Sequence, residues 1–215
     1  MSQRVFASAY PVNLDLEDRQ VLVVGGGPVA ARKASGLLQA HACVTVTAPT
    51  AVADIAEHPN IVWNQRRYQP GEVASYHLAI TATDDPSVNA QVAIDAELSN
   101  VLVNSADDPA NCSFILPAVV ARGDLQITVS TNGRSPAMSR WARRRLETIF
   151  TNTHADLLDL LSDIRGEARE RFGTSELPGW NDVIDDTLVD QVESGRLDVA
   201  RQRVRCALGL EGYLK

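Results

Sequence analysis

The stretch Val21-Leu-Val-Val-Gly25-Gly-Gly27-Pro-Val-Ala30-Ala-Arg-Lys33 decides the fold. A short apolar run reads as a buried strand. It ends in three glycines, and a helix-like segment follows at once. Gly25 suits a tight turn out of the strand. Gly27, without a Cβ, lets the backbone approach a pyrophosphate. Ala30 is small enough for the helix to pack on the strand. The helix N-terminus then offers its unpaired N–H groups to phosphate. The pattern therefore points to dinucleotide binding. The plainer alternative is a glycine turn in an α/β fold that binds nothing.

Working outward, Gln20–Val24 is the expected first strand. Val29–Gln39 is its crossover helix, with Ala30, Ala34, Leu37 and Leu38 in an apolar stripe. Strands are expected at Val44–Ala48, Ile61–Tyr68, His77–Thr83 and Val101–Asn104. A helix is expected at Ser87–Leu98, started by Asp85-Pro86. Strands alternating with helices imply an α/β fold with a Rossmann-type parallel sheet. Two apolar runs follow, Ser113–Ala121 and Leu125–Thr131, joined by Arg122-Gly-Asp124 as an antiparallel turn. Helices are then expected from Pro136 to about Phe150, and at Ala155–Phe172, Asn181–Glu193 and Asp198–Leu208. The division drawn from this pattern is 1–112, a nucleotide domain; 113–150, a small α/β segment; and 151–215, a helical C-terminal domain.

Composition narrows the function. The chain has 215 residues and a net charge of −7, which disfavours a general nucleic-acid binder. Its 3 cysteines are far apart, with no CxxC pair or Cys/His cluster, so neither a disulfide framework nor a zinc site is expected. No apolar run reaches membrane-spanning length and no signal-peptide core is visible, so the expectation is a cytoplasmic protein. At the end of the second strand, where an acid would hold the adenosine ribose, stands Thr47-Ala-Pro-Thr50. The Pro49 backbone and the Thr50 hydroxyl would have to serve, and the choice between NAD and NADP is left open. Asp107 and Asp108 follow the fifth strand, as proton-transfer groups or as a turn and cap. Ser130–Pro136 enters a helix that carries Arg140, Arg143, Arg144 and Arg145. This is either an anion site for a polycarboxylate or a solvated basic face. Trp63, Trp141 and Trp180 read as packing residues, and Cys112 as a buried small side chain.

Several blocks together resemble one family. They are the glycine stretch, Ala82-Thr-Asp-Asp85 with Val88-Asn89, Val103-Asn-Ser-Ala-Asp107-Asp-Pro109, Ser113-Phe-Ile-Leu-Pro117, and Ser130-Thr-Asn-Gly-Arg-Ser-Pro136. From about Phe6 to Phe150 the chain resembles the precorrin-2 dehydrogenase and sirohydrochlorin ferrochelatase family, the N-terminal part of siroheme synthase. The resemblance implies oxidation of precorrin-2 to sirohydrochlorin with NAD as hydride acceptor. In some members Fe²⁺ is inserted to give siroheme. It implies Asp107 as the catalytic residue; no dedicated iron ligands are visible in the sequence. The implied cofactor contacts are Gly25, Gly27, Pro28, Val29, Pro49, Thr50, Ala82, Thr83 and Asp84. Asn104, Thr131, Gly133, Ser135, Arg140 and Arg144 are implied to meet the tetrapyrrole and its acetate and propionate arms. A homodimer through the 113–150 segment is implied too. The fused form adds a methyltransferase domain, for which this length leaves no room. Three positions depart from the family: Asn132-Gly133 for Gly-Gly, Thr131 for a serine, and His41 for a glycine. A non-catalytic NAD-sensing module is the alternative reading.

Overall fold

The computed structural model describes residues 9–106 and 108–212. They form two compact units: the described residues up to 116 with 131–135, and 117–130 with the described residues from 136 onward. The segment 113–150 is thus shared between the two.

The first unit is built on five parallel strands, β1 (Gln20–Val24), β2 (Cys43–Thr47), β3 (Ile61–Asn64), β4 (Leu78–Thr81) and β5 (Leu102–Ser105), in the order β3-β2-β1-β4-β5. Helix α1 (Pro28–Gln39) joins β1 to β2, and the short α2 (Ala53–Ala56) precedes β3. Helix α3 (Pro86–Leu98) joins β4 to β5. Alternate residues of β1 and β4 enter different cores, so these central strands are largely apolar, as a sheet covered on both faces requires. Val21, Val23, Val44, Val46 and Ile80 pack with Ala30 and Ala34 of α1. Leu22, Val24, Ala79 and Val103 pack with Val92 and Ala96 of α3. Val24 is in register with both Thr47 and Thr81, and Thr81 with Ser105, so the carboxyl ends of four strands lie level. This is the edge where ligands of such sheets collect.

The alternating pattern is as expected, with local differences. Helix α1 begins at Pro28, with Gly27 as its N-cap. It closes with Ala42 N–H donating to Leu37 O at 3.1 Å. His41 there takes φ +56°, the left-handed conformation that a helix C-terminus favours. The third strand stops at Asn64 rather than Tyr68. Arg66 N–H donates back to Asn64 O at 2.8 Å, turning the chain into a crossover that includes a 3₁₀ turn, Glu72–Ser75. The run from Ser113 is not strand until Ala118, because Ser113 is tied to β5. Its N–H donates to Val103 O at 2.8 Å, and its Oγ accepts from Val103 N–H at 2.8 Å.

The second unit holds the hairpin of β6 (Ala118–Arg122) and β7 (Leu125–Val129), then α4 (Pro136–Ile149), α5 (Thr153–Phe172), α6 (Trp180–Val183), α7 (Asp186–Glu193) and α8 (Leu197–Ala207). Gly123 takes φ +55° in the two-residue turn, where glycine carries no steric cost. Leu157, Leu160 and Ile164 of α5 pack with Leu188, Val204 and Leu210 to form a separate core. The single helix expected over Asn181–Glu193 is two helices. Asp185 breaks it by accepting from Leu188 N–H at 2.9 Å as the cap of α7. Both its oxygens also bind Arg203 of α8, at 2.9 and 2.7 Å.

Candidate functional site

An open cleft of about 1000 Å³ lies at the carboxyl edge of the parallel sheet. The three loops singled out in the sequence converge on it. Gly25, Gly27, Pro28 and Val29 come from the β1–α1 turn, Pro49 and Thr50 follow β2, and Ala82, Thr83 and Asp84 follow β4.

The three glycines have distinct roles. Gly25 takes φ +127°, and a Cβ on it would lie 2.3 Å from Ala82 O. A Cβ on Gly26 would lie 1.9 Å from Thr50 O. These two let the loops after β1, β2 and β4 close on one another, and Val52 N–H donates to Gly26 O at 2.9 Å across that contact. Gly27 differs. A Cβ there meets no protein atom within 4 Å, and its φ of −83° suits any residue. Nothing in the protein requires glycine at 27, yet it lines the cleft at the N-terminus of a 12-residue helix. A ligand seated against the backbone is what its missing Cβ would accommodate. The donor set of that helix start suits a pyrophosphate.

Neighbouring residues hold the walls. Trp63 Nε1 donates to Ala48 O at 3.1 Å, fixing the chain beyond β2. Thr83 Oγ1 and its carbonyl are both bound by the Asn89 amide, at 2.8 and 3.0 Å. Asp85 caps α3 through Ser87, which donates its N–H at 2.9 Å and its hydroxyl at 2.6 Å. These bonds hold the Asp85 carboxyl below the ordinary aspartate range.

Linear reading missed the far wall. Arg67 and Tyr68, from the crossover after β3, also line the cleft. The crossover is tied to α3 by the buried Asp95. That carboxylate accepts from Tyr68 OH at 2.8 Å, Gly71 N–H at 2.8 Å and Gln91 Nε2 at 2.8 Å. Burial alone would raise the Asp95 pKa, but the three donors outweigh it and the net shift is downward. Tyr68 is pushed well above the ordinary phenol range, by burial first and then by its bond to Asp95. Only a donor set spread over residues 68, 71 and 91 marks this anchor, and no short motif carries it.

The loop after β5 begins beside the cleft. Ala106 N–H donates to Thr81 O at 2.9 Å, one residue before the cleft-lining Ala82. Asp107 itself lies outside the described residues. Asp108 is a cap: its carboxylate accepts from Ala110 N–H at 3.0 Å and from the Asn111 amide at 2.9 Å. Asn104 is buried, and its amide donates to Phe114 O at 3.0 Å and to Cys112 Sγ at 3.6 Å. It pins the loop internally. Cys112 is buried, as expected, and its Sγ accepts from Ser105 N–H at 3.1 Å.

In the Thr131–Ser135 loop, Asn132 and Gly133 take φ +51° and +80°, so asparagine tolerates the position where the family has glycine. Thr131 Oγ1 accepts from Ser135 N–H at 3.0 Å. Arg140 and Arg144 lie four residues apart on α4, in the second unit, and both are exposed. Arg143 is bound to Glu147 at 2.8 Å. Trp141 is half-exposed on the same helix, not packed as expected. Among the described residues no group of three or more His, Cys, Asp or Glu side chains could hold a metal ion, and no helix is long and apolar enough to cross a membrane.

Comparison with known proteins agrees with this arrangement. The family described as "Putative NAD(P)-binding" matches residues 12–118, and that described as "Sirohaem biosynthesis protein central" matches residues 122–148. The siroheme synthase of Methylobacillus flagellatus is 36% identical over 210 residues, covering 95% of this chain and 45% of that protein. That of Psychrobacter cryohalolentis is 35% identical over 211 residues, covering 94% and 39%. The chain thus spans less than half the length of these relatives. A solved structure, "SirC, precorrin-2 dehydrogenase", superposes with a TM-score of 0.72 at 28% identity, covering 95% of this chain and 100% of that one. With a nucleotide-binding match and a sirohaem-specific match in chain order, and a structural counterpart along nearly its whole length, the chain belongs to the siroheme synthase and precorrin-2 dehydrogenase family.

Proposed function

We propose that the protein oxidises precorrin-2 to sirohydrochlorin with NAD⁺. The observation that carries this is the join at Thr81: the loop bearing Asp107 starts one hydrogen bond away from the glycine-lined cleft. The relatives' printed names supply the substrate class. Gly25, Gly27, Pro28 and Val29 would hold the pyrophosphate against the start of α1. Pro49 and Thr50 would meet the adenosine, and Ala82, Thr83 and Asp84 the other half of the dinucleotide. NAD⁺, when bound, supplies the hydride acceptor. The oxidation also releases a proton, and Asp107 takes it as a carboxylate base. Asn104 and Asp108 serve as positioning residues, holding the chain on either side of Asp107. In the first unit, Thr131, Gly133 and Ser135 would offer contacts to the substrate; in the second, Arg140 and Arg144 each offer a carboxylate paired N–H donors.

The half-exposed Met138, Trp141 and Ile149 on α4, a helix with no buried residue, favour a homodimer through that face. Insertion of Fe²⁺ into the product would use Asp107 again, as acceptor of the pyrrole protons.

The test supplies precorrin-2 and NAD⁺ and follows NADH and sirohydrochlorin absorbance. Turnover is expected, and Asp107→Asn should lower it by about 10²–10⁴-fold with NAD⁺ binding kept. No NADH from authentic precorrin-2 would overturn the reading in favour of an NAD-sensing module. An Fe²⁺ insertion rate equal to the spontaneous one would remove the chelatase step alone.

A further inference from the structure

We propose that Arg67 is the phosphate-reading residue of the cleft, a specificity determinant whose guanidinium takes a phosphate group of the dinucleotide. The proposal rests on the reading of the cleft as a dinucleotide site. Among the described residues that line it, Arg67 carries the one positive charge, against Asp84 and Asp85. A pyrophosphate brings two negative charges, and the start of α1 offers only about half a positive charge. The remaining charge calls for a cation, and the end of β2 supplies none: Thr47-Ala-Pro-Thr50 has neither acid nor base. Because no carboxylate stands there, a 2′-phosphate on the adenosine would not be repelled either.

The placement of Arg67 is built. Its carbonyl accepts from Arg66 Nη1 at 3.0 Å, and Arg66 is paired with Glu72 at 2.5 Å. On its other side Tyr68 is held by Asp95 at 2.8 Å. Both flanking side chains are committed to the protein, while Arg67 itself is exposed and lines the cleft. Its charge also reaches across to Asp85, helping, after the Ser87 bonds, to keep that carboxyl ionised. The crossover thus fixes a backbone and delivers one planar, bidentate cation to the ligand space, the geometry that phosphate recognition favours.

The test measures dissociation constants of NAD⁺ and NADP⁺ by calorimetry for the intact chain and for R67Q and R67K. R67Q should weaken binding about 10- to 100-fold, the loss of one or two charge-assisted hydrogen bonds. R67K, which keeps the charge but not the fork, should recover part of it. Equal loss for both nucleotides places the contact on the shared pyrophosphate. Loss confined to NADP⁺ places it on the 2′-phosphate. Either outcome carries the proposal. Unchanged affinity for both, in a variant with the parent's thermal midpoint, overturns it. If the parent chain binds neither nucleotide, the dinucleotide reading fails instead.

Discussion

A methyl group on Gly26 would collide with Thr50 O, whereas one on Gly27 would point into open space. The two neighbouring glycines therefore separate folding from binding. Gly26→Ala must push apart the loops after β1 and β2, and should cost about 2–3 kcal/mol in urea unfolding. Gly27→Ala should leave stability within about 0.5 kcal/mol, because its φ and its surroundings tolerate a Cβ. Its dinucleotide affinity should nevertheless fall, and equal affinity for parent and Gly27→Ala would show that no ligand backbone contact exists there. Sequence spacing marked Gly25 and Gly27 but not Gly26. The GxGxxA pattern leaves that position free, and only the approach of Thr50, 24 residues away in the chain, makes it strict.

At the scale of elements, the crossover from β3 to β4 is held against α3 by the buried carboxylate of Asp95. Asp95 is depressed below its ordinary pKa, so its contribution to stability is complete above the unfolded value of about 3.9 and is lost as pH falls through the lower folded value. Asp95→Asn should therefore be less stable than the parent at neutral pH, by about 1–3 kcal/mol. The difference should shrink as pH falls below about 4. Denaturant midpoints across pH check this, and a difference constant with pH would contradict the assignment. The crossover was illegible in the sequence for the same reason. Ile61–Tyr68 is β-prone by composition, but β3 pairs only with β2 and has no partner past Asn64. Beyond that point the chain follows Asp95 instead. At Asp185, likewise, a cap and an Arg203 pair from α8 overrode a helical run.

For the molecule as a whole, α4 is amphipathic yet buries none of its residues among those described. If that face joins two copies, Trp141→Glu should convert a dimer to a monomer in light scattering, with the parent's helix content kept. A parent chain that is monomeric at micromolar concentration would refute the dimer. The apolar strands, the glycine turn and the alternation with helices were legible from sequence, because a strand buried on both faces needs a continuous apolar run and the turn after it needs glycine. From those, the sheet and the three loops that meet at its carboxyl edge follow. The tertiary structure alone decided that Arg67 and Tyr68 belong to that cleft, that Asn104 and Asp108 spend their polar groups on the loop around Asp107, and that Gly27 is open. Local pattern specifies where a chain turns and what it buries. Which distant side chains then share a cavity is set by the crossover path and by the partners that satisfy buried polar groups.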